Sequence, residues 1–589
     1  MAVLFYLVSA ILFFIIITII KKDDSTNHST VAWVVIHSGV MMWVNTCIAG
    51  IYALVGIPFT LLSVAIAYDV LSGMGIIYIH NKGIQRLKWN TWDLVAVLCI
   101  VAVAAYFGLR FNKSDLQICD VTGDSCMHFR YALNVSNTGI VKGEMFYAPC
   151  NNGLFLSILK PLLEPFEYYR SFFAMAIMMV ALAGCAIYAI ICDMLKKPMS
   201  RLFGLALALM YMLGYPLNNY LMGFCYLGMS VTIVVFLFFF LRMWIDDTMR
   251  NNWALGAMMM GCFALVMCYM LFAPIIFIAV FITLVLNEYR RSNLQSFIKI
   301  ALKVFLVPCI LGFYYCYFCF FKGRNLSIGD AIKNNGGTRG HYYSNLLIFL
   351  PTTVYFLITD IKQRKHIELT VLTLCVFTFD LIMLALVFLN KISIYYYSKL
   401  PYLTWFSCAI CSWYGLKYLL EDNKKAFIIH TSFITCLLFV WAFNVNGILN
   451  TKSYEMGYGM FVETYRTVSC GAFEDNRVLM NDFGPYSPDR ISLFRYIYDN
   501  LGNSTVPLLG DLPNYLDVYW CENLTGQDLS DYYFWTAGAE NCIQRIAMRK
   551  EVDYVTLMYG TQLYEDTAFI WNRYEKVYEN EAGCILKIA

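Results

Sequence analysis

The sequence predicts a polytopic α-helical membrane protein that ends in a small extracytoplasmic α/β domain. Three observations carry this. Of the 589 residues, 60% are apolar and only 14% are charged, far from a soluble globular average. Apolar runs long enough to cross a bilayer recur from residue 2 to about residue 444. Beyond about residue 450 the hydropathy falls and Pro, Gly, Asp and Asn return, over a tail of about 140 residues that suits one soluble domain. A net charge of +3 on so long a chain gives no reason to expect a nucleic-acid partner.

The first apolar run, Val3–Ile20, has no basic residue before it and no small-residue cleavage site after it, so it reads as a retained helix. Later runs predict helices over 31–49, 51–79, 92–109, 171–192, 202–221, 224–241, 253–270, 272–287, 297–320, 344–359, 367–389, 400–417 and 426–444. With the first, that makes about fourteen spans. The stretch 253–287 is too long for one span and contains Pro274, so it is divided. Basic residues orient the bundle. Lys21-Lys22, Lys82/Arg86/Lys88, Lys196-Lys197/Arg201, Arg242/Arg250, Arg290-Arg291, Lys362/Arg364/Lys365 and Lys424-Lys425 fall on alternate short connections, which places those connections in the cytoplasm. Loops 110–170, 321–343 and 390–399 then share the outer face of the plasma membrane with the C-terminal domain. An undivided 253–287 would put the first loop and that domain on opposite sides.

The first outer loop carries Asp115, Asp120, Asp124, His128 and Arg130. Charge beside a bilayer is costly to place and usually marks function. No helix breaker interrupts Ser125–Ser136, so a short amphipathic helix is expected there, with Asp124 and His128 on one face at i,i+4. A carboxylate in such a place can serve as general base toward a hydroxyl; the plain alternative is a helix-capping acid with a local partner. The second loop, from Lys322 to Ser344, is basic and glycine-rich and contains Arg339 and His341. Its glycines let backbone amides approach an anion, and Arg339 can grip phosphate oxygens bidentately. The third loop sets Tyr395, Tyr396 and Tyr397 beside Lys399; tyrosine belts and snorkelling lysines are ordinary at an interface. Gly214-Tyr-Pro-Leu-Asn-Asn-Tyr-Leu-Met-Gly-Phe224 reads as an outer turn or as a broken helix lining a cavity.

Together Gly123-Asp124-Ser-Cys-Met-His128, Tyr147-Ala-Pro149, Gly214-Tyr-Pro-Leu-Asn-Asn219 and Tyr395-Tyr-Tyr-Ser-Lys399 resemble the GT-C superfamily of membrane glycosyltransferases. The resemblance covers the chain from about residue 92, dividing it into additional helices over 1–91, a GT-C-like membrane domain over 92–444 and an α/β domain over 445–589. It implies an inverting, hexosyltransferase-like transfer of a sugar from a polyprenyl-phosphate donor to a cell-surface glycan, lipid or protein outside the membrane. By that analogy Asp124 is the base and Asp120 its alternative, while Lys399, Arg339 and His341 hold the donor phosphate. His128, Arg130 and Tyr397 complete the candidate substrate-binding set. No metal-ligand spacing appears, although the resemblance leaves a divalent cation open.

In the tail, a helix at 490–500, a strand at Thr505–Leu509, a helix at Cys542–Lys550, a strand at Tyr554–Met558, another helix and a last strand at Gly583–Ile588 suggest α/β. Cys470, Cys521, Cys542 and Cys584 would allow disulfides on an oxidising face. Asn-x-Ser/Thr matches occur at Asn134, Asn325, Asn503 and Asn523. Two other functions compete: a transporter or flippase of a lipid-linked glycan, and a non-catalytic assembly protein. No internal repeat is evident and the mid-span acids are few, Asp69 and Asp380, which favours chemistry in the outer loops.

Overall fold

The computed structural model describes residues 1–589 except 22–27, 119–123, 142–148, 196–197, 222, 247–251, 291–293, 316, 318–348, 398, 446–485, 510–514 and 533–538. Helix α1 (Ala2–Ile19) is followed by α2 (Thr30–Val55), which the Ser29 side chain opens by accepting from the Ala32 N–H, 3.3 Å. Gly56 closes α2 in the left-handed region (φ 72°), and Thr60 with Ser63 forms the capping box of α3 (Leu61–Lys82). The break expected at residue 50 therefore lies at 56–60. Gly50 stays helical because a bare backbone is needed where α2 meets Phe263, whose ring would stand 2.9 Å from a Cβ there.

Helices α4 (Thr91–Asn112), α5 (Asp124–Thr138), α6 (Pro149–Leu159) and α7 (Tyr169–Ile191) come next. The helix expected over 202–221 is two, α8 (Pro198–Leu213) and α9 (Tyr215–Leu221), parted at Gly214. The Trp405 ring occupies the space a Gly214 side chain would need, and its indole N–H donates to the Tyr211 carbonyl, 3.1 Å. Beyond it run α10 (Cys225–Asp246), α11 (Asn252–Cys268), α12 (Phe272–Arg290), α13 (Leu294–Tyr314), α14 (Leu350–Gln363), α15 (Ile367–Phe388), α16 (Ile394–Tyr397), α17 (Pro401–Asp422) and α18 (Lys424–Val445). The 253–287 stretch is divided between α11 and α12.

Among the described residues, nine helices are long and apolar enough to cross a membrane. Leu62, Val70, Met74 and Ile77 on α3 and Leu381, Ile382 and Phe388 on α15 are exposed, as lipid-facing positions should be. This is an integral membrane protein. Helix α2 packs against α7, α10 and α11, so it lies inside the bundle. Charges at the end of the bundle carrying the basic connections are paired: Arg201 with Asp93 (3.2 Å) and Arg242 with Glu368 (3.3 Å).

The C-terminal domain comprises α19 (Pro488–Asn500), β1 (Leu508–Leu509), α20 (Tyr515–Thr525), α21 (Ala539–Arg549), β2 (Tyr554–Met558), α22 (Gln562–Trp571), β3 (Glu575–Asn580) and β4 (Gly583–Lys587). The sheet order is β1-β2-β4-β3, with β1 parallel to β2 and the other pairs antiparallel. Strand β3 was not foreseen: Glu-Lys-Val-Tyr-Glu-Asn is a polar, mostly exposed edge strand without an apolar run. Cys542, Val555, Leu557, Trp571 and Leu586 fill a core under the sheet.

Candidate functional site

Asp124 begins α5, where the positive end of the helix dipole favours a carboxylate. One turn later His128 is buried on the same face. The start of α5 rests on the turn between α9 and α10. Gly223 is there in the left-handed region (φ 72°), and a Cβ on it would lie 2.4 Å from the Ser125 hydroxyl oxygen and 2.6 Å from the Ser125 nitrogen. Only glycine lets the turn come so close. Next to it, the Phe224 N–H donates to the Asn219 carbonyl, 2.8 Å, which presents the Phe224 ring to the site.

Lys399 comes from a turn late in the sequence of the membrane domain, between α15 and α17. The Lys399 and Leu400 N–H groups donate to the carbonyls of Tyr396 and Tyr397, 3.2 and 3.1 Å, so the short α16 turns the chain into α17. That turn carries Lys399 inward to 1% exposure, with Nζ 3.0 Å from the centre of the Phe224 ring. The negative face of an aromatic ring stabilises an ammonium withdrawn from water, by about 2 kcal/mol. Burial pushes the Lys399 amine down to about 7, and the Asp124 carboxylate opposes that shift. The Asp124 carboxylate at the start of α5 is thus near enough to Lys399 for its charge to act on the amine.

The His128 ring meets Tyr226 at 4.9 Å and Tyr131 at 6.1 Å. Tyr226 in turn meets Phe224 (6.1 Å) and Tyr269 (5.4 Å), which builds an aromatic wall. Burial pushes the His128 imidazole down to about 3, with the Lys399 charge adding to the effect. His128 is thus a neutral imidazole at ordinary pH, suited to hydrogen bonding and stacking rather than to charge. Beneath the site, Asn151 of α6 is tied to two helices. Its amide oxygen accepts from Asn45 Nδ2 (3.0 Å), and its own Nδ2 reaches Thr46 Oγ1 (3.3 Å) and Met229 Sδ (3.4 Å). Such a satisfied buried network holds α6 against α2 and α10.

Of the residues expected to act, Asp124, His128 and Lys399 are brought together. Tyr397 is half-buried on α16. Arg130 turns away from this group and pairs with Glu522 of α20, 3.3 Å. Asp120, Arg339 and His341 lie outside the described residues. Gly223 and Phe224 were not singled out one by one, the Gly214–Phe224 motif being their only signal, and Tyr226, just beyond that motif, had none. Of the mid-span acids, Asp380 is buried and accepts from the Thr404 hydroxyl (2.7 Å), whereas Asp69 is exposed. Among the described residues, no group of three or more His, Cys, Asp or Glu side chains could hold a metal ion. Beside Asp124 stands an ammonium, which repels a dication.

Cys521, Cys542 and Cys584 are free thiols, so the disulfides entertained for the tail do not form among them. An open concavity of about 780 Å³ in the C-terminal domain, lined by Lys550, Arg573, Tyr574 and Lys587 among others, includes none of the Asp124 group. Compared with protein-family models and with curated proteins, the chain matches none.

Proposed function

We propose that this protein is an inverting membrane glycosyltransferase of GT-C type, acting at the outer face of the plasma membrane. Its donor is a polyprenyl-phosphate-linked sugar, and its acceptor is a hydroxyl on a cell-surface glycan, lipid or protein. The observation that carries the reading is a buried cation, Lys399, held over the Phe224 ring and acted on by the charge of the Asp124 carboxylate at the start of α5. An anionic phosphate ester seeks such a cation, and a nucleophilic hydroxyl needs such a base.

In the proposed reaction Lys399 binds the phosphate of the donor, and the aromatic wall of Phe224 and Tyr226 keeps water from the sugar. Asp124 takes the proton of the acceptor hydroxyl as its oxygen bonds to the anomeric carbon. The bond from that carbon to the phosphate oxygen breaks, and polyprenyl phosphate leaves with the electron pair. Engaging the phosphate frees Asp124 from its ammonium partner, so donor binding itself readies the base. No step here calls on a metal.

A screen of purified protein with radiolabelled polyprenyl-phosphate sugars tests this. The expected outcome is label in a product no longer attached to the lipid, with inverted anomeric configuration. Label that only moves from one leaflet of a vesicle to the other would instead favour a flippase. No movement and no transfer with any donor would favour an assembly protein.

A further inference from the structure

We infer that the C-terminal domain acts as the positioning device of helix α5, through Trp520, Glu522 and Asn523 on α20. The kinetic part of this inference rests on the glycosyltransferase reading; the docking itself does not. Helix α5 has two working faces. Asp124 and His128, one turn apart, look toward Lys399 and Tyr226. Cys126, Phe129 and Arg130 follow the opposite stripe, as the helical period requires, and all three are gripped by α20.

The grip is specific to the first turns. Asn523 Nδ2 donates to the Cys126 carbonyl at 2.8 Å, midway in sequence between Asp124 and His128. The Glu522 carboxylate, its side chain 2% exposed, pairs with Arg130 at 3.3 Å and accepts from the Leu529 N–H at 2.8 Å, which anchors it from its own side. Trp520 is fully buried and lies between two rings of the membrane domain: Phe129 of α5 at 5.7 Å and 24°, and Phe173 of α7 at 6.1 Å and 28°. An amide, a carboxylate and an indole on one helix thus fix the height, rotation and tilt of the helix that carries Asp124. A merely tethered domain would have no use for a half-buried amide donor aimed at a helix carbonyl of the other domain.

The same bond decides a second matter. Asn523-Leu524-Thr525 matches a glycan-acceptor motif, yet the Asn523 amide is engaged with Cys126 and the Thr525 hydroxyl donates to the Cys521 carbonyl, 2.6 Å. In the folded protein the motif serves docking and is not open to an oligosaccharide.

The test uses the full chain in lipid nanodiscs. Hydrogen exchange over 124–138 is compared in the wild type, Asn523→Ala, Asn523→Gln and, from the other partner, Arg130→Ala, together with donor KM and kcat for sugar transfer. Asn523→Ala should speed exchange in the first turns of α5 while α10 and α17 stay protected. It should lower kcat by about 10- to 100-fold with little change in donor KM, the signature of a misplaced base. Asn523→Gln, which keeps an amide donor, should recover part of the loss. Unchanged exchange and kcat in both Asn523→Ala and Arg130→Ala would overturn the inference. So would a donor KM that rises with kcat unaltered. Should Asn523→Ala unfold the whole domain, Arg130→Ala gives the same two readings from α5. A wild type that transfers no sugar would sink the glycosyltransferase reading alone, leaving the exchange measurement to decide the docking.

Discussion

Lys399 owes its chemistry to its surroundings more than any other side chain in the site. On a loop it would be an ordinary surface cation; held over the Phe224 ring and out of water, it titrates at about 7. Below that pH it is an ammonium that can bind a phosphate, and above it a neutral amine that cannot. Donor KM should therefore rise as the pH climbs past about 7, across a scan from about pH 6 to pH 9. Lys399→Arg, whose guanidinium stays charged throughout, should flatten that rise. A wild-type KM that is level over the same range would show that Lys399 does not hold the donor. His128 gives the opposite prediction. Its imidazole is neutral down to about pH 3, so His128→Gln should leave the shape of the pH–rate profile unchanged even where the rate falls. Both residues were legible in the sequence, because charge beside lipid is expensive and stands out. Phe224 and Tyr226 were not, since aromatic residues are abundant in any membrane bundle and nothing in a sequence tells a wall from a belt. The pairing of Arg130 with Glu522 joins residues 392 apart in the chain and was equally hidden.

Among the elements, the long apolar helices were readable because twenty or so apolar residues in a row admit few other structures. Their boundaries were less readable, and the break after α2 was expected at Gly50 although the turn chemistry lies further on. Gly56 with Pro58, Thr60 and Ser63 marks a real break, whereas Gly50 marks a close helix contact; the two uses of glycine look alike in one sequence. Gly415 on α17 is a second contact glycine. A Cβ there would meet the Thr352 carbonyl oxygen of α14 at 2.1 Å, and backbone cannot swing aside. Gly415→Ala should destabilise the bundle by about 1–3 kcal/mol, seen as earlier thermal unfolding in detergent. Gly256 on α11 has nothing within 4 Å of its would-be Cβ. Gly256→Ala should be neutral or stabilise by up to about 1 kcal/mol, since alanine favours the helix. Equal effects of the two substitutions would contradict this packing.

For the whole molecule, the question is which parts share a side of the membrane. Counting helices through 253–287 decided this in the sequence, and the contact of α20 with α5 gives it a second, independent footing. Cysteines placed at the exposed positions Lys113 and Asn500 should both react with an impermeant thiol reagent on intact cells. A cysteine at Lys82, on the end with the basic connections, should react only after permeabilisation. Opposite behaviour of the first two positions would refute the arrangement.

The central claim is that Asp124 is the base of a sugar transfer, and its most direct measurement is a single-turnover assay. Wild-type protein and Asp124→Asn, both verified as folded by hydrogen exchange, are given a labelled polyprenyl-phosphate sugar at saturating concentration with an acceptor. Asp124→Asn should bind the donor as the wild type does and transfer about 10²- to 10⁴-fold more slowly, the usual worth of a general base. Transfer at the wild-type rate by Asp124→Asn, with Asp120→Asn equally active, would show that neither carboxylate is the base.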